Sequence, residues 1–280
     1  MKWSRLSSLD VRWIYVVFLV VLVIPMFRPL GLPMSITPEV RDYANTIESL
    51  PPGSVVWIGA DYSPGSAAEN NPQLAATFRH CMMKGHKVII LELWEQAPDI
   101  VRSIVDPIAR EMGKVYGVDY VNLGYKPGGG VAVLAMTRDI KTASAGVDIS
   151  GTKLENFPLM QQVTALQKGQ VQLVISINTG SPGYADYLNY VTDPLGIPFL
   201  SCPTAGMLTG QMPFYRSKQI RGLLPGLAGA AQYEIWLKQP GDACRQMDAQ
   251  SLGHLIVLLF VALGNIGYFA SRKEKGGASK

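Results

Sequence analysis

Two apolar segments lie near the ends of this 280-residue chain, at residues 13–27 and 252–270. A membrane-spanning helix needs about 20 mostly apolar residues to cross about 30 Å of hydrocarbon. The second segment has that length by itself, and the first reaches it if Arg28 snorkels and residues 29–32 lie in the interface. The residues between the segments are too polar to enter a bilayer. The sequence therefore predicts spans over residues 13–32 and 251–271.

The first segment also has the layout of a cleaved signal peptide, because Lys2, Arg5 and Arg12 precede an apolar run of suitable length. The residues that follow it, RPLGLPMSITPEV, contain no A-x-A-like cleavage site. A retained signal anchor is therefore favoured. In the second segment, Asn265 could bond to another helix, but it is interpreted here as a tolerated polar residue.

Basic residues close to the spans predict the orientation of the chain. Residues 1–12 carry three basic residues and one acidic residue, and residues 272–280 carry four basic residues and one acidic residue. Both tails are therefore expected in the cytoplasm, as in a two-pass protein of the cell membrane. Residues 33–250 would then form an extracytoplasmic domain.

The same tails account for the basic character of the chain. The formal net charge is +4, and since the tails contribute +5, residues 13–271 carry −1. A nucleic-acid partner would need a basic stripe on the folded domain, and the sequence offers none. The expected partners are instead the lipid bilayer and either further copies of this chain or other membrane-protein subunits.

Apolar runs alternate with helical patterns through the central domain. Each run is continuous rather than alternating, which is typical of strands buried on both faces of a parallel sheet. The fold class is therefore predicted as α/β, a Rossmann-like or flavodoxin-like three-layer sandwich with a mostly parallel sheet between two terminal transmembrane helices. The predicted strands are residues 54–60, 87–94, 119–124, 171–177 and 197–202, and the predicted helices are residues 38–50, 72–84, 97–116, 183–191 and 227–238, with one more starting near 131.

Residues 206–226 follow the last predicted strand and combine glycines, apolar side chains and basic residues, among them Arg216 and Arg221. This combination would suit contact with lipid headgroups or a partner protein. A plain connection with an ordinary surface helix is an equally good interpretation.

Open parallel sheets bind ligands at the carboxyl ends of their strands, and the residues just past each predicted strand are polar or glycine. The run KPGGG could let backbone N–H groups approach an anion, although it matches neither dinucleotide nor P-loop patterns and unpatterned glycines usually mark turns. The candidate ligand-binding residues are Asp61, Tyr62, Lys126, Gly128, Gly129, Gly130, Asn178, Ser181 and Thr204.

Catalytic and metal-binding motifs are absent from the sequence. His80 and His86 flank one predicted helix end, and no G-x-S-x-G elbow or H-E-x-x-H pair occurs. No catalytic residue, metal or cofactor is predicted, and enzymatic activity is not favoured. Cys81, Cys202 and Cys244 are too few for a disulfide scaffold. Outside the cytoplasm, the sequence is compatible with one disulfide and an odd thiol, and equally with Cys81 and Cys202 buried and unbonded.

Several stretches together resemble a family of uncharacterised prokaryotic membrane proteins. These stretches are PPGSVVWIGADYSPG, DYVNLGYKPGG, ISINTGSPG, PTAGMLTGQ and RGLLPGLAGAAQYE. The resemblance covers most of the chain and implies one α/β domain between two terminal helices. It implies no activity and no ligand residues.

These observations favour a membrane-anchored structural or assembly protein, either a scaffold or a subunit of a complex. The alternative is an extracytoplasmic module that binds or senses a small ligand at the strand ends. A membrane-bound hydrolase of the Ser-Lys type is the third hypothesis, and it lacks a supporting motif.

Overall fold

The computed structural model describes the backbone of residues 10–277 and the side chains of residues 10–269. Residues 1–9 and the side chains of 270–280, which make up most of the two predicted cytoplasmic tails, lie outside the described residues. The chain divides into two compact units. One is an α/β domain over residues 34–239, and the other joins the two ends of the chain, up to Pro33 and from Pro240.

The domain is built on one six-stranded sheet in which all neighbouring strands are parallel. The strand order is β3-β2-β1-β4-β5-β6, which is the order of the Rossmann fold. The predicted parallel α/β sheet is thereby confirmed. The strands are β1 (Val55–Asp61), β2 (Lys87–Glu92), β3 (Tyr120–Tyr125), β4 (Leu173–Asn178), β5 (Phe199–Pro203) and β6 (Gly222–Leu223).

Helices cover both faces of this sheet, as the continuous apolar runs predict. The first face is covered by α2 (Pro38–Glu48), α3 (Ala67–Met83), α4 (Ala97–Glu111) and α11 (Gly226–Trp236). The second face is covered by α5 (Gly130–Arg138), α6 (Ile140–Ala143), α7 (Pro158–Gln162), α8 (Tyr184–Tyr187), α9 (Asp193–Leu195) and α10 (Leu208–Arg216).

Successive residues of each strand enter opposite cores. In β1, Val56 and Ile58 belong to the core on the first face, and Trp57 belongs to the core on the second. All three side chains are fully buried. Because neither face meets water, the strands lose the polar alternation of a one-sided sheet, and continuous apolar runs in the sequence mark β1 to β5.

Three elements differ from the sequence-based expectation. Helix α3 begins at Ala67 instead of residue 72, because a short 3₁₀ turn at Pro64–Ser66 leads into it. The helix expected at 183–191 is divided, since α8 ends at Tyr187 and a π-helical turn follows. The sixth strand was not predicted, because β6 has only 2 residues and so no readable period.

The second unit consists of α1 (Val11–Phe27) and α12 (Asp242–Gly277). The two helices pack antiparallel, with Leu22 of α1 lying against Gly253 of α12. Within α12, the stretch Asp242–Phe269 is long and apolar enough to cross a membrane. Helix α1 has 17 residues and is shorter than the length usually needed. The predicted second span therefore lies inside a longer helix that begins ten residues before Leu252.

Helix α2 lies directly on the edge strand β6. A Cβ atom at Gly222 would overlap the backbone of Tyr43, in the middle of α2. Backbone cannot move aside as the end of a flexible side chain can, so this position requires glycine.

We therefore expect Gly222→Ala to destabilise the domain by about 1–3 kcal/mol, the usual cost of overpacking. For a domain of this size, that cost lowers Tm by roughly 2–12 °C. Thermal unfolding of the full chain in detergent measures the shift. Gly210→Ala is the matched control, because a Cβ there meets nothing within 4 Å. Equal Tm values for G222A and G210A would contradict this packing.

Candidate functional site

The strand order reverses between β1 and β4, and crevices at such a switch point are where Rossmann-like sheets bind ligands. Asp61 and Asn178, the last residues of these two strands, are register partners. Backbone bonds continue the pairing, since Thr204 N–H donates to the Asn178 carbonyl at 3.2 Å. The fold thus brings three predicted site residues, Asp61, Asn178 and Thr204, to one edge of the sheet.

The Asn178 side chain belongs to a closed ring of hydrogen bonds. Its Nδ2 donates to Ser201 Oγ at 2.9 Å, Ser201 Oγ donates to Gln211 Oε1 at 2.6 Å, and Gln211 Nε2 donates back to Asn178 Oδ1 at 2.7 Å. All three residues are fully buried. The amide of Asn178 is therefore occupied by contacts that fasten α10 to β4 and β5.

The glycine run after β3 packs against the turn after β4. Gly128 and Gly129 have positive φ angles of 111° and 54°, and a Cβ at Gly129 would lie 3.2 Å from Pro182. A Cβ at Gly130 would meet the Asp186 carboxylate at 2.5 Å. Close approach of these two turns explains the glycines without a ligand. Ser181 is exposed beside Pro182.

Two buried carboxyl groups lie at the ends of β1 and β2. Asp61 accepts a hydrogen bond from Leu93 N–H at 2.8 Å through Oδ1, and Glu92 accepts one from Asn122 Nδ2 at 2.8 Å through Oε1. Both residues are 0% exposed. Their second oxygens, Asp61 Oδ2 and Glu92 Oε2, have no hydrogen-bond partner among the described residues. Unpaired buried carboxyl oxygens are costly, and each needs a function or a proton.

Burial decides the charge of this pair. Loss of hydration raises the pKa of Glu92 to about 8, against smaller opposing effects of Asn122 and Lys126. Burial also raises the pKa of Asp61 well above its usual value, and repulsion from Glu92 and Asp186 adds to the increase. Glu92 therefore holds a proton near neutral pH, and a protonated carboxyl can donate a hydrogen bond as well as accept one.

Lys126 and Tyr62 flank the pair. Lys126 N–H donates to the Glu92 carbonyl at 2.9 Å, and its Nζ donates to the Ser144 carbonyl at 3.2 Å. Partial burial lowers the pKa of Lys126, while Glu92 and Asp148 oppose that change. Tyr62 is fully buried and donates to Asn71 Oδ1 at 3.0 Å. Burial, with a further contribution from Glu92, raises the pKa of its hydroxyl.

Sequence reasoning missed Glu92 and Gln211. Glu92 lies inside the apolar run KVIILELW. An acidic residue within a buried strand indicates a buried carboxyl group, and that signal was available in the sequence. Gln211 lies in the 206–226 segment, which was interpreted either as a lipid or partner contact or as a plain surface connection, and nothing in the sequence around it marks it as buried. The ligand-binding role of the predicted residues stays a prediction.

The histidines join helices on the first face. His80 is almost fully buried between Tyr233 of α11, whose hydroxyl is 2.5 Å from Nδ1, and Glu48 of α2, whose carboxylate is 3.0 Å from Nε2. His86 Nε2 lies 3.3 Å from the Ile47 carbonyl. These contacts tie α3 and its C-terminal turn to α2 and α11.

The described residues contain no group of three or more His, Cys, Asp or Glu side chains that could hold a metal ion. The three cysteines are buried, and none of them forms a disulfide in the structure described.

Several clefts of the described part of the chain lie away from the β1–β4 switch point. One, of about 440 Å³, lies where α5 ends and is lined by Arg138, Lys141 and Glu155 among others. Another, of about 270 Å³, lies beside the edge strand β3 and is lined by Arg102, Arg110 and Tyr120 among others. Neither includes a predicted ligand residue.

A solved structure described as "Crystal Structure Analysis of the Glycotransferase of kitacinnamycin" is similar to 68% of this chain, at 15% sequence identity and a TM-score of 0.26. The alignment spans 41% of that protein's chain. A TM-score this low supports no conclusion about fold or function. No family model matches the sequence, and no curated protein matches it.

The raised pKa values of Asp61 and Glu92 predict an unusual pH dependence of the free energy of unfolding. The usual pKa of a Glu carboxyl is 4.5, and that of buried Glu92 is about 8. Between these values the folded chain keeps a proton that the unfolded chain releases, so the free energy of unfolding falls as pH rises. The slope from one such group approaches about 1.4 kcal/mol per pH unit.

We expect Glu92→Gln to remove the contribution of Glu92 to the decrease of Tm between pH 5 and 8, while Asp61, His80 and His86 keep their own contributions to the pH profile. Thermal unfolding of the full chain across that range gives the slope. Glu95→Gln is the matched control, because Glu95 is exposed three residues further on. Parallel pH profiles for E92Q, E95Q and the native chain would show that Glu92 is ionised in the folded domain.

Proposed function

We propose that this chain is a membrane-anchored assembly subunit, in which α1 and α12 span the bilayer together and hold an extracytoplasmic α/β domain. The observation that carries the proposal is the distribution of exposed apolar surface. Helices α1 and α12 expose large side chains along their length, such as Trp13 at 68%, Leu19 at 62% and Leu258 at 67%. Continuous apolar surface of this kind is typical of contact with lipid or protein.

The α/β domain differs from the helix pair in this respect. Scattered exposed apolar residues are ordinary on soluble surfaces. Among the described residues of the domain, the large exposed apolar side chains are Met83, Val115, Val118, Tyr125 and Val131.

A buried carboxylate supports treating the two ends of the chain as one anchor. Asp248, 4% exposed in the first turns of α12, accepts hydrogen bonds from the backbone N–H groups of Leu30, Gly31 and Leu32 at 2.7, 3.1 and 3.3 Å. Charge-assisted bonds to backbone N–H groups are among the stronger hydrogen bonds in proteins. They fix the segment that leaves α1 against α12, which suits two helices that enter the membrane side by side.

Helix lengths and tail charges support a two-pass arrangement. At 1.5 Å per residue, α1 is about 25 Å long and residues 252–269 of α12 span about 27 Å. Each is close to the thickness of the hydrocarbon core once flanking residues are included. Antiparallel spans place both ends of a chain on the same side, and the basic residues of both tails favour the cytoplasm.

The closed switch point favours assembly over ligand binding. Asn178, Ser201 and Gln211 bond to one another, and the Gly129 turn packs on Pro182. A rim filled in this way offers little room for a small molecule. We therefore infer that the domain acts through its outer surface, with other copies or membrane subunits as partners.

A small-ligand module is the second candidate, and the unpaired oxygens of the Asp61–Glu92 pair favour it. A ligand with hydrogen-bond donors that reaches the ends of β1 and β2 would satisfy one of these oxygens at the edge where Rossmann-like sheets bind ligands. A small molecule that elutes with the native chain and is lost from the Asp61→Asn variant would favour this candidate.

We expect the full chain to stay in the membrane fraction after washing with high salt and with alkaline carbonate. Replacing Val20 and Val261 together by Arg places a charge in each span, at a cost of roughly 2.5–3.5 kcal/mol per span. We expect this double variant to lose membrane integration, as measured by immunoblotting of the carbonate pellet.

The matched control replaces Val115 and Val118, two exposed valines of the domain, by Arg and should remain in the pellet. Release of the native chain by salt alone would contradict a membrane-spanning anchor. An integrated chain that is a monomer in mild detergent with no co-purifying membrane protein would contradict the assembly role.

A further inference from the structure

Helix α12 presents a second face, directed away from α1. The side toward α1 includes Gly253, where Leu22 lies 3.0 Å from the position of a Cβ. On a different side, Leu258 is 67% exposed, Val261 is 56% exposed, and Asn265 is exposed. Spacings of three and four residues place these side chains on one helical stripe. This stripe, Leu258–Val261–Asn265, has no contact with α1 that would cover it.

The amide of Asn265 makes the stripe informative. Asn265 lies four residues, or about 6 Å along the helix, past the middle of the 252–270 stretch. It has no hydrogen-bond partner among the described residues, including those of α1. In water the amide would be hydrated at no cost, but inside hydrocarbon an unpaired amide is unfavourable. The span therefore favours a neighbour that supplies both a donor and an acceptor.

A second copy of this chain meets that requirement by symmetry. An Asn side chain carries one donor group and one acceptor oxygen, so two Asn265 side chains across a two-fold axis can each donate to the other. Two-fold interfaces bring the same residue of each copy together near the axis. Gly264 precedes Asn265, and a Cβ there would meet nothing within 4 Å, which leaves space for the partner helix to approach closely.

We propose that two copies of the chain associate within the bilayer through the Leu258–Val261–Asn265 stripe, with paired Asn265 amides at the contact. This inference rests on the proposed membrane-spanning function and gives its assembly a site and a partner. It replaces the interpretation of Asn265 as a merely tolerated residue. Helix α1 keeps its own contact with α12, so the dimer contact leaves the helix pair of each copy intact.

The test measures association of the full chain in vesicles of phosphatidylcholine and phosphatidylglycerol. Donor- and acceptor-labelled copies are mixed, and energy transfer is followed as lipid dilutes the protein. We expect Asn265→Leu to weaken self-association roughly 3- to 30-fold, the range for hydrogen bonds between membrane helices. Asn265→Gln keeps the amide and should restore most of the association.

Leu259→Ala is the matched control, because Leu259 is exposed on another side of α12 and should leave association unchanged. A second readout uses cross-linking of the full chain in isolated membranes. Val261→Cys should form a covalent dimer on oxidation, and Leu259→Cys should not.

The possible results separate the two proposals. Native-like association of N265L, or a dimer that forms through Leu259→Cys in place of Val261→Cys, overturns the Asn265 contact and leaves the membrane anchor in place. If N265L instead releases a different membrane protein and the native chain does not self-associate, the second-copy assignment is wrong. If the native chain is washed from membranes by carbonate, the anchor and this inference both fail.

Discussion

Burial of a parallel sheet on both faces is the constraint on which the α/β domain depends. Every residue of β1, from Val55 to Asp61, is buried, and adjacent residues such as Trp57 and Ile58 enter opposite cores. The helices that cover the sheet must therefore pack their apolar faces against it. The domain keeps few exposed apolar side chains as a result, whereas α1 and α12 keep many. This difference supports the proposal that the ends of the chain contact lipid or other helices.

The same burial explains the chemistry at the strand ends. Asp61 and Glu92 are the last residues of β1 and β2. Both are buried, where ionisation of a carboxyl group is unfavourable. Burial also requires partners for the neutral polar side chains at this edge. Asn178, Ser201 and Gln211 provide them by bonding to one another in a ring. The hydrogen bonding of Asp61 and Glu92 is incomplete, since one oxygen of each carboxyl group has no partner among the described residues. Protonation of Glu92 near neutral pH meets that need at one of the two carboxyl groups without a ligand, which supports the proposal that the domain is a scaffold.

Much of the domain could be predicted from the sequence, because five strands are long apolar runs between breakers and the order of strands and helices implies a parallel sheet. Prediction fails where a feature is set by tertiary contacts. The 2-residue strand β6 exists because α2 and β5 hold it, and its sequence carries no period. Asp61 and Asn178 were predicted to share an edge, and they do, whereas Gln211 reaches Asn178 from a segment predicted as a lipid or partner contact or as a plain surface connection. Helix α12 runs past the predicted span because its polar first turns, near Asp248, bond to residues distant in sequence.

The central claim is that both ends of the chain form one two-pass anchor with the domain outside the cytoplasm, and topology tests it most directly. In intact cells, an impermeant thiol reagent is applied to Ser103→Cys, exposed on α4, and to Ser279→Cys in the basic tail, with the native chain as background because its three cysteines are buried. The proposed anchor predicts labelling at position 103 before lysis and at position 279 only after it. Labelling at position 279 in intact cells, or protection at position 103, would contradict it.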